Sequence, residues 1–154
     1  MFANLIKELG EVIGLPSLAP DESGALTLTV DGSPFILQYY DAGQELYIIH
    51  RIGDLPEDAE RLAAVQRFLL EKNCFFRSVG PGILGIEQND IFYTVRIACC
   101  DKFGQRISGA ELEHILRAAV DTCAELRSGC SEALHEEQES SLPADTVFVS
   151  MLRV

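Results

Sequence analysis

Long apolar runs are missing from this sequence. No stretch approaches the roughly 18 residues that a membrane-crossing helix needs. The N-terminal MFANLIKELGEV carries Asn, Lys and Glu where a secretory signal would be apolar. Basic charge is scarce too: 12 Lys and Arg stand against 24 Asp and Glu, a net charge of −12. A nucleic-acid backbone requires clustered cations, so that partner class is not expected. The acidic balance suits high solubility or a basic partner. Neither membrane insertion nor nucleic-acid binding is expected; residence in the cytoplasm is.

Metal and catalytic spacings are equally wanting. The cysteines, Cys74, Cys99, Cys100, Cys123 and Cys130, are odd in number and include no C-x-x-C. Cys99 and Cys100 are neighbours and point to opposite faces of a strand, whereas Cys123 and Cys130 share a helix face. Buried free thiols in a reducing compartment fit best, with no metal and no cofactor. The HEE beginning at His135 lacks the second His of H-E-x-x-H. No G-x-x-x-x-G-K-[ST], no G-x-G-x-x-G after a strand and no G-x-S-x-G occurs. GPGILG is glycine-rich but leads into a strand, so no helix N-terminus waits there for phosphate.

What is present is an orderly alternation of amphipathic elements. At 154 residues, 47% hydrophobic and 23% charged, the chain is one domain that can bury about two-thirds of its unfolded surface. Phe2, Leu5, Ile6, Leu9, Val12 and Ile13 recur at helical spacing, and Gly14 with Pro16 ends that helix. ALTLTV, FILQYY and ELYIIHRI follow as a meander joined by DGSP and DAGQ turns. Its later two strands are apolar on both faces, so one face covers a core and the other must cover something else.

LYIIHRIGDLPEDAERL raises the question of His50 and Arg51. Alternation puts Leu46, Ile48, His50 and Ile52 on one face and Tyr47, Ile49 and Arg51 on the other, so the pair cannot act together. A helix opens at LPED, with acids complementing its dipole, and carries the broad stripe Leu62, Val65, Phe68, Leu69 and Leu70. A hairpin, ILGIE and IFYTVRIACC, comes next. Ser108 and Glu111 have capping-box spacing at the head of a third helix reaching at least Leu126. The chain closes on TVFVSMLRV, β-branched and apolar: an extra strand, or a tail that packs onto an exposed groove.

The expected fold is α+β, helix–three-strand meander–helix–β-hairpin–helix, with helices packed on an antiparallel sheet. This order, the acidic chain and LYIIHRIGDLPED resemble the class I chaperones of bacterial type III secretion, the Tir-chaperone-like family. The resemblance covers a domain over residues 1–137 and leaves 138–154 as a C-terminal extension. It implies a cytoplasmic homodimer without enzymatic activity that holds the N-terminal segment of a secreted effector in extended form. By position it implies effector contacts at Leu5, Leu9, Leu28, Phe35, Leu37, Tyr39, Tyr47 and Ile49. Dimer contacts are implied at Leu62, Val65, Phe68, Leu69, Phe92 and Tyr93. Two alternatives stand beside it. One is a regulatory chaperone that sequesters the antagonist of a transcriptional regulator. The other is a small α+β enzyme or ligand-binding domain with His50, Arg51 or Cys99 in a pocket.

Overall fold

The computed structural model describes residues 2–74, 79–100 and 103–140, with side chains as far as Ala133. Helix α1 (Phe2–Ile13) leads into strands β1 (Ala25–Val30), β2 (Ser33–Tyr40) and β3 (Glu45–Asp54). Helix α2 (Ala59–Asn73), strands β4 (Gly82–Glu87) and β5 (Asp90–Ala98) and helix α3 (Gly109–Ser140) complete the order. This is the expected α+β sequence of elements. TVFVSMLRV lies outside the described residues.

All five strands form one antiparallel sheet in the order β1-β2-β3-β5-β4. The hairpin β4–β5 attaches through its second strand, which leaves β1 and β4 as the edges. Period-two alternation decides the faces. Leu26, Leu28, Phe35, Leu37, Leu46, Ile48, Ile91, Tyr93 and Val95 are buried beneath the helices. Ile36, Tyr47, Ile49, Phe92, Thr94 and Ile83 lie on the opposite face, half-buried or exposed.

Helix α3 is central in the helical layer, packed against α1 on one flank and α2 on the other. Its stripe Leu112, Leu116, Ala119, Cys123 and Leu126 is buried. The approach to α1 is close enough that a Cβ on Gly109 would fall 2.5 Å from the Glu8 backbone. Ser108 and Glu111 form a reciprocal capping box: the Glu111 carboxylate accepts from the Ser108 amide at 2.8 Å, and Ser108 Oγ accepts from the Glu111 amide at 3.3 Å.

One boundary differs from the sequence reading, and the open end of the third helix is fixed. Helix α2 begins at Ala59, not Pro56, because Asp58 is extended and its carboxylate accepts from the Arg61 amide at 3.0 Å. Helix α3 runs through Gly129 to Ser140. Gly129 sits mid-helix as the seat of the Phe68 ring, which an added Cβ would meet at 2.6 Å.

Candidate functional site

His50 and Arg51 part company as alternation requires. His50 is only 2% exposed. It stacks on Phe35 with centroids 4.2 Å apart, and its Nδ1 lies 2.7 Å from the Pro34 carbonyl. The Arg127 guanidinium of α3 contacts Nε2 and donates to Ser33 Oγ at 2.8 Å. Burial holds the imidazole below its usual range, and the adjacent cation works the same way, against the partial counter-effect of the Pro34 bond. A neutral ring that donates from Nδ1 and accepts at Nε2 satisfies every partner, so His50 ties α3 to the sheet. Arg51, on the open face, pairs with Asp90 at 2.7 Å and with Asp54. Cys99 is buried, and desolvation pushes its thiol up. These three groups do not converge.

The implied effector and dimer residues divide by burial. Leu5, Leu9, Leu28, Phe35 and Leu37 belong to the protomer core, and so do Val65, Leu69 and Tyr93. Tyr93 is further tied down by its hydroxyl, which donates to the Val79 carbonyl at 2.7 Å. These eight side chains lie between the helices and the sheet, and of them Leu28 and Leu69 also form part of a groove wall. Tyr39 is half-buried beneath the helices and stacks on Phe2 at 5.2 Å. Leu62 and Phe68 are half-buried on α2, and Leu70 is 72% exposed.

Tyr47, Ile49 and Phe92 do come together, on the open face. The register aligns Thr27, Ile36, Ile49, Thr94 and Ile83 in one β-branched row across all five strands. Ion pairs flank the row: Arg51 with Asp90 on one side, Arg96 with Glu45 on the other. Tyr47 donates to Glu45 at 2.9 Å and meets Tyr40 edge-on.

The two sheet edges differ in chemistry. On β4, Asn73 of α2 mimics a neighbouring strand. Its Nδ2 donates to the Leu84 carbonyl and its Oδ1 accepts from the Leu84 amide, both at 2.9 Å. The β4 edge is thereby sealed at Leu84. On β1, the two-residue turn Asp31–Gly32, with φ of 50° and 76°, closes the Val30–Ser33 pair. Strand alternation then turns the backbone groups of Ala25, Thr27 and Thr29 outward. Ala25 is capped: its amide donates to Asp21 Oδ1 at 3.0 Å and its carbonyl accepts from the Asp21 amide at 2.7 Å. Among the described residues, Thr27 and Thr29 have no such partner on that side.

Beside this open edge runs an apolar groove of about 300 Å³, walled by Ile13 and Leu15 after α1, Leu28 and Val30 of β1, and Leu116 and Val120 of α3. Its rim is acidic, with Asp31, Glu113 and Asp121 against Arg117, whose Nε donates to Glu113 at 3.0 Å. Sequence reading marked Leu28 but missed the rest of the groove, because no local pattern says that α3 passes β1. A second groove of about 300 Å³, lined by Gln66, Leu69, Leu70, Asn73, Leu84, Gly85 and Ile86, separates α2 from β4. A wider cleft of about 670 Å³ at the head of α3 holds Arg106, Glu111 and His114, but the Glu111 carboxylate is already committed to the helix cap.

Residues 4–127 fit the Tir chaperone protein (CesT) family. The chain belongs to that family. Comparison with the curated proteins gives no match. Among solved structures, the Yersinia pestis type III secretion chaperone SycH, in complex with a stable fragment of YscM2, shares 20% identity at a TM-score of 0.60. The alignment covers 82% of this chain and 99% of that one. A chain of the HopA1–SchA chaperone–effector complex shares 15% identity at a TM-score of 0.64, covering 81% and 91%. A chain of the heterodimeric ExoU–SpcU complex from the type III secretion system of Pseudomonas aeruginosa shares 17% at 0.54, covering 88% and 96%. These likenesses carry the fold; the family match carries the class.

Among the described residues no group of three His, Cys, Asp or Glu side chains is placed to hold a metal ion. No described helix is long and apolar enough to cross a membrane.

Proposed function

We propose that this Tir-family chaperone acts in the bacterial cytoplasm as a homodimer. It holds the N-terminal segment of a type III effector extended and secretion-competent, and turns over no substrate. The observation that carries the site is the contrast between the edges: β4 is sealed at Leu84 by Asn73, while among the described residues Thr27 and Thr29 of β1 have no partner for their outward backbone groups, beside an apolar groove. An extended segment adds to such an edge by main-chain hydrogen bonds, and its alternate side chains drop into the trough. Because the segment arrives disordered, part of the contact energy is spent in ordering it, so a large wrapped surface is favoured. The groove between α2 and β4, with Leu70 and Ile86 exposed on it, is the surface for a second copy. Tyr47 and Ile49 extend the apolar area on the open face. The core residues Leu5, Leu9, Phe35 and Leu37 support the site from beneath.

Thr29→Pro tests this directly. Proline removes the outward donor and is tolerated on an edge strand. Wild type purified from its native host carries a secreted effector, identified by mass spectrometry, and the variant loses it while its circular dichroism and dimer mass stay unchanged. An effector retained by the folded variant refutes β1 as the binding edge.

A further inference from the structure

The two grooves that border the sheet edges have the same volume, about 300 Å³, and differ in charge. Among the described residues, the walls between α2 and β4 carry only neutral side chains. The groove between β1 and α3 carries three acids, Asp31, Glu113 and Asp121, against one base, Arg117. We infer that this acidic groove selects for a cation: the segment that fits it presents an apolar side chain and, two residues on, a Lys or Arg. The inference rests on the reading of the groove as the effector seat and adds the chemistry of the segment.

The walls repeat at the interval of an extended chain. Leu28 and Val30 are alternate residues of β1, about 6.6 Å apart. Leu116 and Val120 face them from α3, four residues or about 6 Å apart. Alternate side chains of an extended segment have the same spacing. Each wall then ends in an acid, for Val30 precedes Asp31 and Val120 precedes Asp121, and all four line the groove. Beyond them Ser33 bonds Arg127, so β1 and α3 run in the same direction and the two acids share one end. A Lys or Arg side chain is divided in the same way, an aliphatic stem carrying a charged head. Laid between Val30 and Val120, its stem brings the head to Asp31 and Asp121, while the preceding apolar side chain meets Leu28 and Leu116.

The base in the groove leaves that end acidic. Glu113, Arg117 and Asp121 recur every four residues along one line of α3. Arg117 turns to the first of them: its Nε donates to Glu113 at 3.0 Å, and a second guanidinium nitrogen contacts the same carboxylate. The sign also selects among occupants. A chain of net charge −12 repels a second copy at an acidic groove, and a segment with Asp or Glu in place of the cation is disfavoured in the same way.

Two labelled octapeptides, SVSLSKSV and SVSLSESV, test this on the full chain by fluorescence anisotropy. At about 50 mM salt wild type binds the Lys peptide about tenfold more tightly than the Glu peptide, and the gap narrows at about 500 mM. The gap closes in an Asp31→Asn/Asp121→Asn variant, which keeps both side-chain sizes; Asn also tolerates the φ of 50° at position 31. Equal affinity of wild type for the two peptides overturns the inference. So does a gap that the variant retains, or failure of both peptides to bind. A variant whose mass by light scattering is twice that of wild type overturns it too, because the groove is then a surface between copies. All of these results leave the β1 edge standing, and its own failure is read separately, from effector retention by Thr29→Pro.

Discussion

The Arg127–His50 contact offers the sharpest physical test of how α3 is fixed to the sheet. Arg127→Met keeps most of the aliphatic stem and removes donation to His50 Nε2 and Ser33 Oγ. Bonds with a charged donor are worth about 1.5–3 kcal/mol each when dry. Arg127 is only half-buried, so solvent screening brings the joint loss to about 2 kcal/mol at pH 8. The pH dependence carries a second signature. Burial first, and Arg127 second, depress the folded-state pKa of His50. The unfolded chain then binds a proton that the native state refuses. The stability contributed by neutral His50 is complete above about pH 6.5 and is lost as pH falls below that value toward the folded pKa. Removing the cation lets His50 charge more readily in the fold. The cost of Arg127→Met is therefore smaller at pH 5 than at pH 8. Urea denaturation at fixed protein concentration measures both values. A cost that is negligible, or identical at the two pH values, refutes the assignment of Arg127 to a neutral His50.

Three further expectations follow from packing. Gly82→Ala places a Cβ 2.4 Å from the Tyr93 ring, which is fully buried and held by Val79; overpacking and the strained bond cost about 2–4 kcal/mol, read as a lowered Tm. Leu37→Asp and Ile36→Asp, one residue apart on β2, behave oppositely: Leu37 is 0% exposed and its variant does not fold, whereas Ile36 is 41% exposed and its variant folds with near-wild-type Tm. Light scattering at micromolar concentration gives about twice the 17.0 kDa chain mass, and a Leu70→Glu/Ile86→Glu variant gives one chain mass without loss of secondary structure.

Local pattern alone determined a good deal of this protein. Alternation assigned Leu46 to Ile52 of β3 to their faces, including the separation of His50 from Arg51, because neighbouring strand residues point oppositely. Helical spacing found the buried stripes of α1, apart from the exposed Val12, and of α3, and S-x-x-E marked the start of α3, because capping satisfies amides within one turn. The same local signals could not separate a core position from a binding position. Leu37 and Ile49 are both apolar strand residues, and only the layer of helices over one face makes the first core and the second surface.

The tertiary structure decided the rest through contacts between residues far apart in sequence. The hairpin β4–β5 docks by β5, so β4 becomes an edge; no turn or propensity encodes that choice. Asn73 seals that edge at Leu84 across the α2–β4 interface, while among the described residues Thr27 and Thr29 of β1 have no partner on their outer side. The trough beside β1 exists because α3, about eighty residues later in the chain, passes next to the first strand. Side-chain periodicity is a property of neighbours along the backbone, and a binding edge is a property of what packs beside it.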